Sequence, residues 1–396
     1  MAMLSKRWGR AGVAAAFATV LVIGGTAGSP ASARHGDRSD DGAFTQRNLV
    51  SDVPGLAELD DPDVKNPWGI AFGPVSTPTP LWVNNNFAPD PTQAIQLYAG
   101  ATGPNVPIQK VGLHVTGSSP FGLVFNPTSD FKITQAGVLT PARFIFTEAF
   151  EGPGGAPEGR VTGWSNVPAP AATTTSTDAR KFPSLPFGLA LVPGKGDRGN
   201  RLLVADGLTG TVDVYDAEFQ KVDDPSLFVD PKIAATGLVP YNVAFLKHRV
   251  YVAYADPEGA HRGAISMFKA NGKFKKRLFT NGDGGVLQGP WGMAIAPKHW
   301  GQFGGRLLVG NVDNGRINAF GARSGKFKGT LQDDSGAPLV NTGLWGIAFG
   351  NGVIGTPNSL IFAAGIGEEV DDVAHTYEHG LIGLIEPAAK EDADDD

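Results

Sequence analysis

Two sets of residues in this 396-residue chain have types and spacing that could do chemistry. One is aromatic: Trp68, Phe121, Phe187, Tyr241, Trp291 and Trp345 recur at intervals of 53, 66, 54, 50 and 54 residues. The other is polar: Asn85, Glu148, Asp206 and Asn311 follow four of those aromatics. Aromatic platforms with a few polar groups hold sugars and other flat, hydroxylated ligands. Two carboxylates with two amides suit Ca²⁺ or another divalent cation. His375 and His379 are four apart, so on a helical turn both would face one side, as transition-metal ligands do. They lack the Glu of H-E-x-x-H, and a solvated acidic loop is the plainer reading of that stretch. The aromatics would serve equally as wedges between neighbouring modules, and each Asp or Asn as the cap of its own turn. No G-x-S-x-G or phosphate-binding loop occurs, and there is no cysteine to act as a nucleophile.

The elements that position these residues repeat with them. Each aromatic opens a short apolar run: Pro67-Trp68-Gly69-Ile70-Ala71-Phe72, Pro120-Phe121-Gly122-Leu123, Pro186-Phe187-Gly188-Leu189, Pro240-Tyr241-Asn242-Val243, Pro290-Trp291-Gly292-Met293 and Leu344-Trp345-Gly346-Ile347. Proline lacks a donor and starts a strand, and glycine lets a neighbouring backbone come close. A second and a third strand follow each run. A period near 50 residues with three or four strands per unit predicts an all-β, six-bladed β-propeller. Weaker outer strands are expected around 106–115, 172–177, 221–229, 273–280 and 326–331. The sixth unit lacks one, and residues 44–53, ahead of the first blade, are expected to supply it. In this geometry the starts of the inner strands and the ends of the second strands share one rim. Trp68, Phe121, Phe187, Tyr241, Asn242, Trp291 and Trp345 then become the ligand-binding candidates. Asn85, Glu148, Asp206, Asn311, His375 and His379 become the metal candidates. Asn242 replaces the expected glycine, and its amide either turns to the axis or merely tolerates the same backbone.

Composition agrees with this reading and narrows the partners. With 54 Gly and 30 Pro the chain is rich in turns. Its formal net charge of −6 argues against nucleic acid. Lys6, Arg7 and Arg10, an apolar run from Ala11 to Gly25 and Ala31-Ser32-Ala33 have the three parts of a secretory signal peptide. The expected organisation is a signal peptide at 1–33, a linker at 34–43, one propeller at 44–388 and a disordered acidic tail at 389–396. The expected product is a secreted monomer with no membrane span after cleavage. Without disulfides, its stability must come from its core.

Together, Asn66-Pro67-Trp68-Gly69-Ile70-Ala71-Phe72, Pro290-Trp291-Gly292-Met293-Ala294, Leu307-Leu308-Val309-Gly310-Asn311 and His379-Gly380-Leu381-Ile382-Gly383 resemble an uncharacterised family of exported bacterial proteins related to NHL-repeat propellers. The resemblance implies a six-bladed propeller and export. Some members end in a sorting tail where this chain ends in acid. No catalytic residue carries over. Two functions follow. The first is a secreted binding or scaffold propeller whose rim engages a small molecule, carbohydrate or protein. The second resembles the lactonase-type six-bladed propellers: a metal-dependent hydrolase or lyase, with Glu148 and Asp206 as ligands, Asn85 and Asn311 assisting, and His379 as base.

Overall fold

A computed structural model describes residues 42–388, apart from 153–155, 169–172, 176, 183, 196–198, 260, 283, 368, 372–373 and 376. The segments expected to be a signal peptide and an acidic tail, and most of the expected linker, lie outside these residues.

The six apolar runs form six inner strands: Pro67–Ala71, Pro120–Phe125, Pro186–Val192, Val239–Leu246, Pro290–Ile295 and Leu344–Phe349. Each pairs antiparallel with a second strand, and the second with a third, which makes six blades. Each inner strand lies against the next, and Leu344–Phe349 lies against Pro67–Ala71, so the ring closes. The fold is a six-bladed β-propeller.

Near-continuous apolar inner and second strands are what a sheet buried on both faces requires. The blades meet through one apolar cluster per seam. Between the first two blades, Trp82 stacks on Phe144 with centroids 4.0 Å apart, and Phe146 and Trp164 complete the group. Ring pairs of this kind add about 0.5–1.5 kcal/mol beyond the area they bury.

Phe44–Ser51 supplies the outer strand of the sixth blade. It pairs antiparallel with Leu381–Pro387, from Phe44 opposite Pro387 to Ser51 opposite Leu381. Phe44 also packs on Trp300 and Phe303 of the fifth blade, with centroids at 4.6 and 5.8 Å. The beginning and end of the propeller are thus tied into one sheet.

Two outer strands depart from expectation. In the second blade the outer strand is Thr177–Phe182. The chain just before it, Thr173–Thr175, instead runs parallel to Ile108–Thr116 on the edge of the first blade. The third blade has three strands, because 221–229 does not pair as one. There Asp224 accepts from the Ser226 N–H at 3.0 Å and from its hydroxyl at 2.6 Å, closing an Asx turn. Val222, Leu227 and Phe228 cover the blade's apolar face as a loop. Between its inner and second strands, the second blade carries a hairpin, Lys132–Gln135 with Val138–Pro141.

Buried carboxylates brace the loops. Asp230 takes two bonds from Arg277, each 2.8 Å, one from the Ser266 hydroxyl at 2.7 Å and one from the Lys232 N–H at 3.0 Å. Asp52 accepts from Lys65, from the His379 ring at 2.7 Å and from the Gly380 N–H at 2.7 Å. Burial alone would raise both carboxyls. The bonds from Arg277 and Ser266, and from Lys65 and His379, outweigh it and hold both below the ordinary carboxylate range. A pKa lower in the folded than in the unfolded state stabilises the fold above the unfolded value of about 4. That stabilisation is lost as the pH falls through the lower, folded value. The urea midpoint should therefore hold from neutrality to about pH 5 and fall below it. Asp230→Asn should be less stable at pH 7 and show a shallower acid decline. An unchanged decline would remove Asp230 from the explanation.

Candidate functional site

The six aromatics from the inner-strand starts converge on the axis. Trp68 stacks on Trp345 with centroids 3.5 Å apart, and meets Phe121 and Trp291 edge-on at 4.6 and 5.2 Å. Phe187 and Tyr241 complete the circle, 5.0 Å from each other, with Tyr241 4.9 Å from Trp291. The rings fill one end of the channel. Trp291 and Trp345 are fully enclosed, Trp68 and Phe121 nearly so, and Phe187 and Tyr241 are partly exposed. They form a closed floor with an aromatic lip. Tyr377, from the long loop of the sixth blade, extends the lip with its ring 6.0 Å from Trp345.

Asn242 spends its amide on the seam between blades. Its Nδ2 donates to the Trp291 carbonyl at 2.8 Å, and its Oδ1 accepts from the Val243 N–H at 2.8 Å.

The polar set does not converge. Glu148 accepts from Arg160 at 2.7 Å, the Thr162 hydroxyl at 2.9 Å and the Ser118 N–H at 3.0 Å. Asp206 caps its own turn through the N–H groups of Leu208 and Thr209, at 2.9 and 3.3 Å, and also accepts from Leu185. Asn311 bonds Gln288, Val286 and Arg316 around its own blade. Asn85 reaches the Gln93 carbonyl at 3.5 Å. His379 pairs with Asp52 and so fastens the closing sheet. The backbone of His375 lies in a two-residue strand, Ala374–His375, and its side chain lies outside the described residues. Among the described residues, no three His, Asp or Glu side chains gather closely enough to hold a metal ion.

Other polar groups, which the sequence reading did not single out, do reach the lip. His261 Nδ1 lies 3.2 Å from Asp313 Oδ2, joining the loops that follow the second strands of the fourth and fifth blades. Val312, next to Asp313, belongs to the axial aromatic cluster. The other carboxylate oxygen of Asp313 lies against Gly289, just ahead of Trp291. Burial, with Asp313 and Tyr377 nearby, pushes the Tyr241 hydroxyl well above its ordinary pKa, so it remains a donor. The one available signal was position: both His261 and Asp313 fall within a few residues of a second-strand end. At the neighbouring corner, the Nδ2 of Asn66 and the Nε1 of Trp68 are buried without a protein partner, while Asn66 Oδ1 accepts from Trp345 Nε1 at 2.9 Å.

Known proteins extend this picture as far as fold. No family model matches the chain. It is 28% identical to an uncharacterized protein of Acanthamoeba polyphaga mimivirus over 358 residues, covering 85% of this chain and 78% of that one. A second uncharacterized mimivirus protein is 29% identical, over 76% of this chain and 77% of its own length. These viral relatives correct the expectation of a bacterial family. Among solved structures, the soluble aldose sugar dehydrogenase of Escherichia coli superposes with a TM-score of 0.52 at 13% identity, over 87% of this chain and all of that one. That likeness is one of architecture.

Proposed function

We propose that the protein is a secreted binding propeller that holds a small molecule, or an exposed group of a partner, at the aromatic mouth of its axis. The observation that carries this reading is the lip itself. Phe187, Tyr241 and Tyr377 stand partly exposed above enclosed indoles that close the channel beneath them. A closed floor with exposed ring faces and a few polar groups is the composition of a ligand site. Export is supported by the basic, apolar and Ala-x-Ala segments near the start of the chain.

The floor supplies its own reporter, because Trp68, Trp291 and Trp345 would sense a guest at the lip. A ligand screen read by tryptophan fluorescence should give saturable changes. Phe187→Ala should weaken binding about tenfold, as loss of one aromatic contact does. Ligands that bind with undiminished affinity to both Phe187→Ala and Tyr377→Ala would place the site elsewhere.

A further inference from the structure

We infer that Tyr241, Asp313 and His261 form a recognition site for the hydroxyl groups of a neutral saccharide. This deepens the proposed function and rests on it. Three blades contribute: Tyr241 and His261 come from the fourth, Asp313 from the fifth, and the ring of Tyr377 from the sixth.

The chemistry follows from what each group can exchange. Asp313 accepts only, and His261 already holds one of its oxygens, which fixes the carboxylate at the lip. The Tyr241 phenol stays protonated and can donate. A guest that donates to Asp313 and accepts from Tyr241 meets both, and a hydroxyl group can do both. Phe187, partly exposed and 5.0 Å from the Tyr241 ring, supplies an apolar surface for the C–H face of a sugar. The side chains of His261 and Asp313 are 34% and 26% exposed, so a guest can reach them without unfolding the loops. The carboxylate would repel a phosphorylated or acidic sugar, which makes neutrality part of the prediction.

The test titrates the purified chain with glucose, galactose, maltose, cellobiose and chitobiose, with glucuronate and glucose 6-phosphate as charged counterparts, by tryptophan fluorescence and calorimetry. At least one neutral sugar should bind, and its charged counterpart should bind tenfold or more weakly. Tyr241→Phe should reduce affinity about tenfold, and Asp313→Asn by at least as much. His261→Gln should reduce it less, since it positions Asp313. Melting curves check that each variant folds, and if Asp313→Asn melts early, the isosteric Tyr241→Phe carries the test. Equal binding of the charged sugars, or undiminished binding by the variants, would overturn the assignment. If sugars fail but peptides or organic cations bind and Phe187→Ala weakens them, this inference falls and the mouth stands. If no probe changes the fluorescence, both fall.

Discussion

Glu148→Ala is expected to destabilise the propeller by about 3–5 kcal/mol, the usual result of removing one member of a buried ion pair. Glu148 is fully enclosed, with 0% of its side chain exposed, and the Arg160 it serves is 19% exposed. The two stand opposite each other on neighbouring strands of the second blade. Alanine would remove the acceptor that the Arg160 guanidinium, the Thr162 hydroxyl and the Ser118 N–H share, and the buried Thr162 hydroxyl adds its own penalty. Arg160 would keep its place over the Phe150 ring, 5.0 Å from its centroid, which recovers only part of the loss. Glu148→Gln keeps an acceptor oxygen and should lose less. Urea unfolding checks this: the midpoint should fall sharply with an unchanged slope. A loss below about 1 kcal/mol would show that Arg160 finds another acceptor or water.

The same residue shows where a sequence can be read and where it cannot. That Glu148 lies on a second strand follows from the repeat, because the pattern of proline, aromatic and apolar residues marks each inner strand and so fixes the next; the strand runs past the expected end at Glu148, over Phe144–Glu151. Its partner depends on which residues face each other across a hairpin, and register rests on turn details that an apolar pattern does not carry. Outer strands were less legible for a related reason. They are half solvated and pair on one side only, so their composition is weakly constrained, and a turn such as Asp224-Pro225-Ser226 can dissolve one without exposing the core. The axial aromatics were legible because they open strands. His261 and Asp313 lie in loops, where no periodicity reports direction, and only the closed ring brings them together. The polar set was harder to read, because a second-strand end is also the start of a turn. The backbone N–H groups of that turn bond Asp206, and backbone groups of the loops bond Asn311.

Gly292→Ala is expected to cost about 3 kcal/mol or more, at the high end for adding a single methyl group to a packed interior. A Cβ on Gly292 would stand 2.5 Å from the Trp345 carbonyl oxygen and 3.0 Å from the Ile347 nitrogen, and backbone atoms of a neighbouring strand cannot rotate away. The relation repeats around the ring. Gly69 faces the Phe121 carbonyl, Gly122 that of Phe187 and Gly346 that of Trp68, at 2.4, 2.6 and 2.8 Å from the added carbon. Conformation is not the reason for glycine at these four positions; close approach is. The fourth blade supplies an internal control. There Asn242 stands in the glycine position, and its amide bridges to the Trp291 carbonyl instead of clashing with it. Asn242→Ala should therefore lose only hydrogen bonds, about 1 kcal/mol. Because each inner strand rests on the next, a displacement at Gly292 passes to Trp345 and then to Trp68, so the same substitution should also disturb the stacked indoles and their fluorescence. If Gly292→Ala melted no earlier than Asn242→Ala, the inner strands would not meet as closely as the repeat of glycines requires.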